Sequence, residues 1–219
     1  MLTSILHGKT NHRGGSGLRK LWWLAPLLVA LYGGYKLAGG LTPAHEVAGL
    51  RQIMSPIPLP DFHLRDHTGQ VFDLSRLKGH WSMVFFGYTS CPDICPATLQ
   101  QLAVLDSTMT QQTIAGVAPQ TVFISVDPKR DTANLAGYVG YFAKDFVGVS
   151  GDMTEVGKLE KGVGAWHQYQ PTAAGAYNVA HSGELFLINP QGELQARLQP
   201  PLDIPLVARQ LRTLMQAHG

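Results

Sequence analysis

The chain has 219 residues, 45% of them hydrophobic and 15% charged, with a formal net charge of +2. That length holds one domain plus an appendage. Residues 1–41 carry five of the 17 basic residues and none of the 15 acidic ones, so the remainder has twelve basic against fifteen acidic residues, a net of −3. A slightly acidic main body gives no basis for nucleic-acid binding, which rests on clustered Lys and Arg meeting phosphates.

Residues 1–20 form a basic tail containing Lys9, Arg13, Arg19 and Lys20. Leu21 to Tyr35 carries no charge, and the apolar character runs past the lone Lys36 to Leu41. About 20 apolar residues suffice to span a bilayer, so residues 21–41 are predicted to be a transmembrane anchor. Basic flanks stay on the cytoplasmic side. Trp22, Trp23, Tyr32 and Tyr35 fall near the two interfaces, where amphipathic rings settle. A cleaved signal peptide is the competing reading. Leu37-Ala38-Gly39-Gly40 offers small residues, but there is no clear Ala-x-Ala, and no cysteine for a lipobox. The expectation is a bacterial inner-membrane protein, single-pass, with its C-terminal domain in the periplasm. A mitochondrial transit peptide would add a longer Arg- and Ser-rich stretch.

Residues 42–56 read as a linker, because Pro43, Pro56, Pro58 and Pro60 interrupt regular pairing. The folded domain is predicted over residues 57–219. Phe62-His63-Leu64 and Val71-Phe72-Asp73-Leu74 flank the polar turn Asp66-His67-Thr68-Gly69, a hairpin pattern. Met83-Val84-Phe85-Phe86 is a continuous apolar run, as in a strand covered on both faces. After Asp93, the positions Ile94, Thr98, Leu102, Leu105 and Met109 have helical spacing. Thr121–Val126 reads as a second buried strand. Leu135, Tyr138, Val139 and Phe142 mark a second helix, with Asp131 or Thr132 as N-cap. Met153, Val156, Leu159 and Val163 mark a third. Leu185–Ile188 and Glu193–Leu198 form a hairpin about the turn Asn189-Pro190-Gln191-Gly192. Leu206, Val207, Leu211 and Leu214 close the chain with a helix. Strands alternating with helices, then a hairpin and helix, predict an α/β sandwich with a mixed central sheet and an N-terminal hairpin extension.

The only two cysteines, Cys91 and Cys95, lie four residues apart where the first buried strand gives way to a helix. At that spacing two side chains share a helix face, about 5–6 Å apart, so the sulfurs can share a soft metal or close a disulfide. A helix N-terminus stabilises thiolates. A purely structural bridge would contribute little, because the chain-entropy gain of so short a loop is small. Two sulfurs leave a soft ion under-coordinated, and imidazole is the natural complement for copper, zinc or iron. Of nine histidines, His7 and His12 precede the apolar segment, and His45 lies in the linker. His67 reads as a solvated turn residue; His63, His80, His167 and His218 show no partner pattern. His181 stands in a loop, Tyr177 to Gly183, that delivers the chain into the strand Leu185–Ile188 and can lie over the cysteine-bearing helix.

Three blocks, FFGYTSCPDICPATL, FISVDPKRDT followed by LAGYVGYFAKDF, and HSGELFLINPQGEL, resemble the Sco/SenC family in order and spacing, from about Asp61 to Leu198. These are membrane-anchored copper proteins of cytochrome c oxidase assembly. The resemblance implies a thioredoxin-like fold and one copper per chain, as Cu(I) or Cu(II), held by Cys91, Cys95 and His181. It further implies delivery of copper to the dinuclear site of oxidase subunit II, or reduction of the cysteines of that site. A periplasmic copper donor is a second expected partner. One position departs from the pattern: the family usually has Asp before the histidine, and here it is Ala180.

Other chemistries fit less well. A general thiol-disulfide catalyst of thioredoxin type has two residues between its cysteines, and this chain has three. The Pro-x-x-x-Thr-x-x-Cys stretch of peroxiredoxins is missing before either cysteine. Structural zinc takes four protein ligands, and only three candidates converge. Asp127, Arg130 and Asp131 read as a strand end and capped helix start held by an Asp–Arg pair, with partner docking as the alternative.

Overall fold

A run of apolar residues with no polar interruption has both faces covered, and Met83–Phe86 does so in the middle of the principal sheet. The computed structural model describes residues 49–112, 118–172 and 176–217, with Pro26, Val29, Tyr32 and Gly33. The predicted tail and anchor otherwise lie outside the described residues. Among the described residues no helix is long and apolar enough to cross a membrane.

The strands are β1 (Arg51–Pro58), β2 (His63–Asp66), β3 (Val71–Asp73), β4 (Ser82–Gly87), β5 (Gln120–Ser125), β6 (Val147–Ser150), β7 (His167–Pro171), β8 (Tyr177–His181), β9 (Leu185–Ile188) and β10 (Glu193–Leu198). The helices are α1 (Ile94–Gln112), α2 (Pro128–Asp131), α3 (Leu135–Phe142), α4 (Met153–Val163) and α5 (Ile204–Ala217). Eight strands form one sheet in the order β1-β10-β9-β4-β5-β6-β2-β3, and β7 and β8 pair separately. β4, β5 and β6 are parallel, flanked by antiparallel neighbours on both sides. The fold is thus a mixed α/β sandwich, and the predicted N-terminal hairpin is present as β2–β3 at one edge.

Every residue of β4 and β9 is buried. Phe62, Phe72, Phe85, Phe86, Phe123 and Phe186 are wholly enclosed. Burying one such side chain contributes about 1.5–3 kcal/mol, so these rings dominate the core. α1 packs against α3 and α5, while α4 lies against β1 and β2.

Three expectations are corrected. Regular pairing begins at Arg51, within the predicted linker, because β1 pairs with β10. β1 is an edge strand, where proline is tolerated, and Pro56 falls in the irregular stretch between Gln52 and Ile57. Asp131 and Thr132 do not cap α3; its N-cap is Asn134, and Asp131 is buried and turned toward the cysteine loop. The segment before β9 is strand β8, held in a two-stranded ribbon with β7.

Candidate metal centre

Parallel pairing brings the ends of β4 and β5 together at one edge, with Gly87 opposite Ser125. The chain leaving β4 makes a tight turn, the Cys91 N–H donating to the Tyr88 carbonyl at 3.2 Å, and enters α1 three residues later. Asp131 braces this turn from the β5 side. Its carboxylate accepts from the Thr89 N–H at 3.1 Å, the Thr89 hydroxyl at 2.7 Å and the Ser125 hydroxyl at 2.6 Å.

Cys95 is fully buried and Cys91 is 8% exposed. Neither is in a disulfide. Cys95 reaches this depth because residue 87 is glycine. A Cβ there would stand 2.7 Å from Phe123 Cε2 and 2.8 Å from the Cys95 Sγ. Gly87→Ala is therefore expected to destabilise the fold by about 1–3 kcal/mol, the usual cost of overpacking, and to displace the sulfur. Chemical denaturation and a metal titration of the variant check this; wild-type behaviour in both would refute it.

His181 arrives from the β7–β8 ribbon, 86 residues along the chain from Cys95, and its Nε2 lies 3.4 Å from the Cys95 Sγ. Its Nδ1 lies 3.0 Å from the Ser182 carbonyl. An Nδ1–H donated to that oxygen fixes the tautomer and leaves the Nε2 lone pair facing the sulfurs. The ring stands edge-on to Tyr88 at 5.9 Å and to Phe85 at 6.1 Å. The donor atoms of Cys91, Cys95 and His181 all fall within 4.8 Å of one another, the one such group of three among the described residues.

The sulfurs differ sharply in proton affinity. A hydrogen bond from the Cys95 thiol, with help from the Asp93 and Cys95 backbone N–H groups, pulls the Cys91 pKa down to about 3 against the opposing effect of burial. The same bond, together with burial, pushes Cys95 far up. Cys91 is thus the resident thiolate and Cys95 keeps its proton. Two soft sulfurs and an imidazole suit copper among the divalent and monovalent transition ions.

The remaining histidines take other parts. His67 accepts the Gly148 N–H at 3.1 Å and so is not merely solvated. His167 has a partner that sequence did not reveal, the Glu160 carboxylate at 2.8 Å. The expected Asp–Arg pair is formed by Arg130 with Asp127, and Asp131 takes the separate part of bracing the cysteine turn. Tyr88, Gly87 and the Ser182 carbonyl were not anticipated as site elements. Only Gly87, a glycine closing an apolar strand, carried any signal.

Fold and site together define a class: a mixed α/β domain, consistent with the thioredoxin-like architecture, with a two-sulfur, one-imidazole centre at the strand ends. The chain belongs to the SCO1/SenC family, whose model matches residues 55–216. It is 35% identical over 158 residues to a Stutzerimonas stutzeri protein whose name includes the words copper-binding, covering 72% of this chain and 76% of that one. It is 33% identical over 186 residues to the human mitochondrial SCO2 homolog, covering 81% and 68%. The crystal structure of Arabidopsis thaliana ScoI with copper bound superposes with a TM-score of 0.67 at 26% identity, over 72% of this chain and 98% of that one.

Proposed function

We propose that this protein is a copper chaperone that binds one copper, as Cu(I) or Cu(II), through Cys91, Cys95 and His181 and serves the dinuclear copper site of cytochrome c oxidase subunit II. The observation that carries the reading is the convergence of the three donor atoms within 4.8 Å. Family membership and the copper-bound Arabidopsis relative support copper as the ion. Three protein donors leave a position at which an incoming thiolate from a client can begin ligand exchange, so no free ion need be released. The basic tail and apolar segment support an anchor over residues 21–41 that holds the domain at the periplasmic face of a bacterial inner membrane. A periplasmic donor would load the site. Copper stoichiometry together with X-ray absorption on the full chain tests the reading. One copper with two sulfur neighbours and one nitrogen neighbour is expected; a sulfur-free first coordination sphere refutes it.

The thiolate character of Cys91 favours a second reading, a client-specific thiol-disulfide reductase. The Cys91 thiolate would attack a client disulfide and form a mixed disulfide, releasing one client thiolate. Cys95 would then attack the Cys91 sulfur, giving its proton to the second departing client sulfur. The client disulfide gains two electrons, and the pair ends as a Cys91–Cys95 disulfide.

Ala180 tests how an outer charge tunes the centre. Neighbouring strand residues point to opposite faces, and the Ser182 carbonyl already holds His181 Nδ1. Ala180→Asp is therefore expected to raise Cu(II) affinity by less than about tenfold, below the usual 10–100-fold effect of a ligand's direct partner, and to lower the copper reduction potential. Titration and potentiometry of the two proteins decide it. Identical potentials would show that the missing carboxylate is immaterial.

A further inference from the structure

The ribbon that carries His181 is not part of the eight-stranded sheet. Its position depends on side-chain attachments, and several of them meet at one arginine. Arg130 donates through Nε to Asp127 Oδ2 and through Nη1 to the Tyr177 carbonyl at 3.2 Å. Asp127 is buried, and its second oxygen accepts from the Tyr177 hydroxyl at 2.9 Å. The guanidinium lies over the Tyr177 ring at 4.1 Å and over the Tyr88 ring at 5.7 Å. The Tyr88 ring is in turn the edge contact of His181, and its hydroxyl lies with the Val179 N–H and the Cys91 sulfur. A second anchor, Tyr169 OH to the Val126 carbonyl at 2.7 Å, ties the other strand of the ribbon to the same turn.

We infer that Arg130, pinned by Asp127 and wedged between Tyr177 and Tyr88, is a positioning residue that fixes the ribbon so that His181 Nε2 faces the two sulfurs. It touches neither sulfur nor imidazole and acts through the two tyrosines. The planar fork suits the task, because it must donate in two directions while offering a flat face to aromatic rings; a lysine ammonium can do neither together. The inference rests on His181 being the third ligand.

Arg130→Lys keeps the charge and removes the fork. Tyr177→Phe keeps the ring and removes only the bond to Asp127. In the metal-free protein, the His181 ring protons should be displaced by ring currents from Tyr88 and Phe85. NMR should show those shifts collapsing toward unfolded values in Arg130→Lys and moving partway in Tyr177→Phe. With Cu(II) added, Arg130→Lys should bind about 10–100-fold more weakly, as when a ligand's orienting partner is lost, with altered imidazole nitrogen couplings in pulsed EPR. A lower melting temperature with unchanged His181 shifts and unchanged couplings would make Arg130 a mere stabiliser and overturn the inference. Should Arg130→Lys fail to fold, unchanged His181 shifts in Tyr177→Phe overturn it equally. His181→Ala separates the two readings: wild-type copper binding there removes the ligand assignment, whereas the metal-free shifts report positioning regardless.

Discussion

Cys91→Ser, Cys95→Ser and His181→Ala are each expected to weaken copper binding by more than about 100-fold, beyond the loss that follows removal of a ligand's hydrogen-bond partner. Serine is nearly isosteric with cysteine, but its hydroxyl is a poor donor to a soft ion. The three variants should differ in character. Cys91→Ser removes the resident thiolate and the acceptor of the Cys95 proton. Cys95→Ser removes the fully buried sulfur that lies 3.4 Å from the imidazole. His181→Ala should leave residual Cu(I) binding by two sulfurs while abolishing Cu(II) binding, since imidazole suits the harder oxidation state. Loading the wild-type site at neutral pH should also release about one proton from the sulfur pair, because ligands must deprotonate to bind and Cys91 has already done so. Calorimetry in buffers of different ionisation enthalpy measures that proton. Full-strength binding by any variant would exclude its residue as a ligand.

Asp131→Ala should unfold more readily by about 3 kcal/mol, in the range for breaking a buried polar network, with a fall in melting temperature of roughly 10 °C for a domain of this size. The carboxylate is wholly buried and accepts three hydrogen bonds. Truncation leaves the buried Ser125 hydroxyl and the half-buried Thr89 N–H and hydroxyl without their acceptor. Two of those groups belong to the turn that places Cys91, so copper affinity should fall as well. Asp131→Asn keeps one acceptor oxygen and should lose less. Denaturant titrations of both variants, read beside copper affinity, check the pairing of the two effects. Wild-type stability in Asp131→Ala would show that water replaces the carboxylate without cost.

Much of this was legible because it is local. The apolar run of β4, the helical spacing of α1 and the Asn189–Gly192 turn depend on neighbours a few residues away. In that turn Gly192 adopts a φ of +82° and the Asn189 side chain accepts from the N–H groups of Gln191 and Glu193. The Cys91/Cys95 pair was legible for the same reason. β6 has only four residues, and β7 is largely exposed, so neither shows apolar alternation. β1 was hidden by prolines that an edge strand tolerates. Asp131 read as a helix cap because its role as a buried brace depends on Thr89, 42 residues away. Spacing alone left His181 one candidate among several. The resemblance singled it out, and the structure shows the ribbon that delivers it. The Ser182 carbonyl and the Tyr88 ring left no trace in the sequence pattern, because one acts through backbone and the other through tertiary packing.

The unequal spacing of the three proposed ligands along the chain bears on how such a site would empty. Two donors sit four residues apart at the start of α1, and the third belongs to a ribbon tied to the body by the tyrosine hydroxyls, one guanidinium and the His167–Glu160 contact. An ion bound across them would clasp the ribbon to the cysteine-bearing helix, so by mass action occupancy would strengthen the native state as well as fill the site. If the protein acts as the proposed chaperone, a recipient that captured the ion from the imidazole side first would undo the clasp while both sulfurs still held the cargo. The handover would then proceed with the metal always gripped, and a freed ribbon would mark a chaperone that has begun to let go.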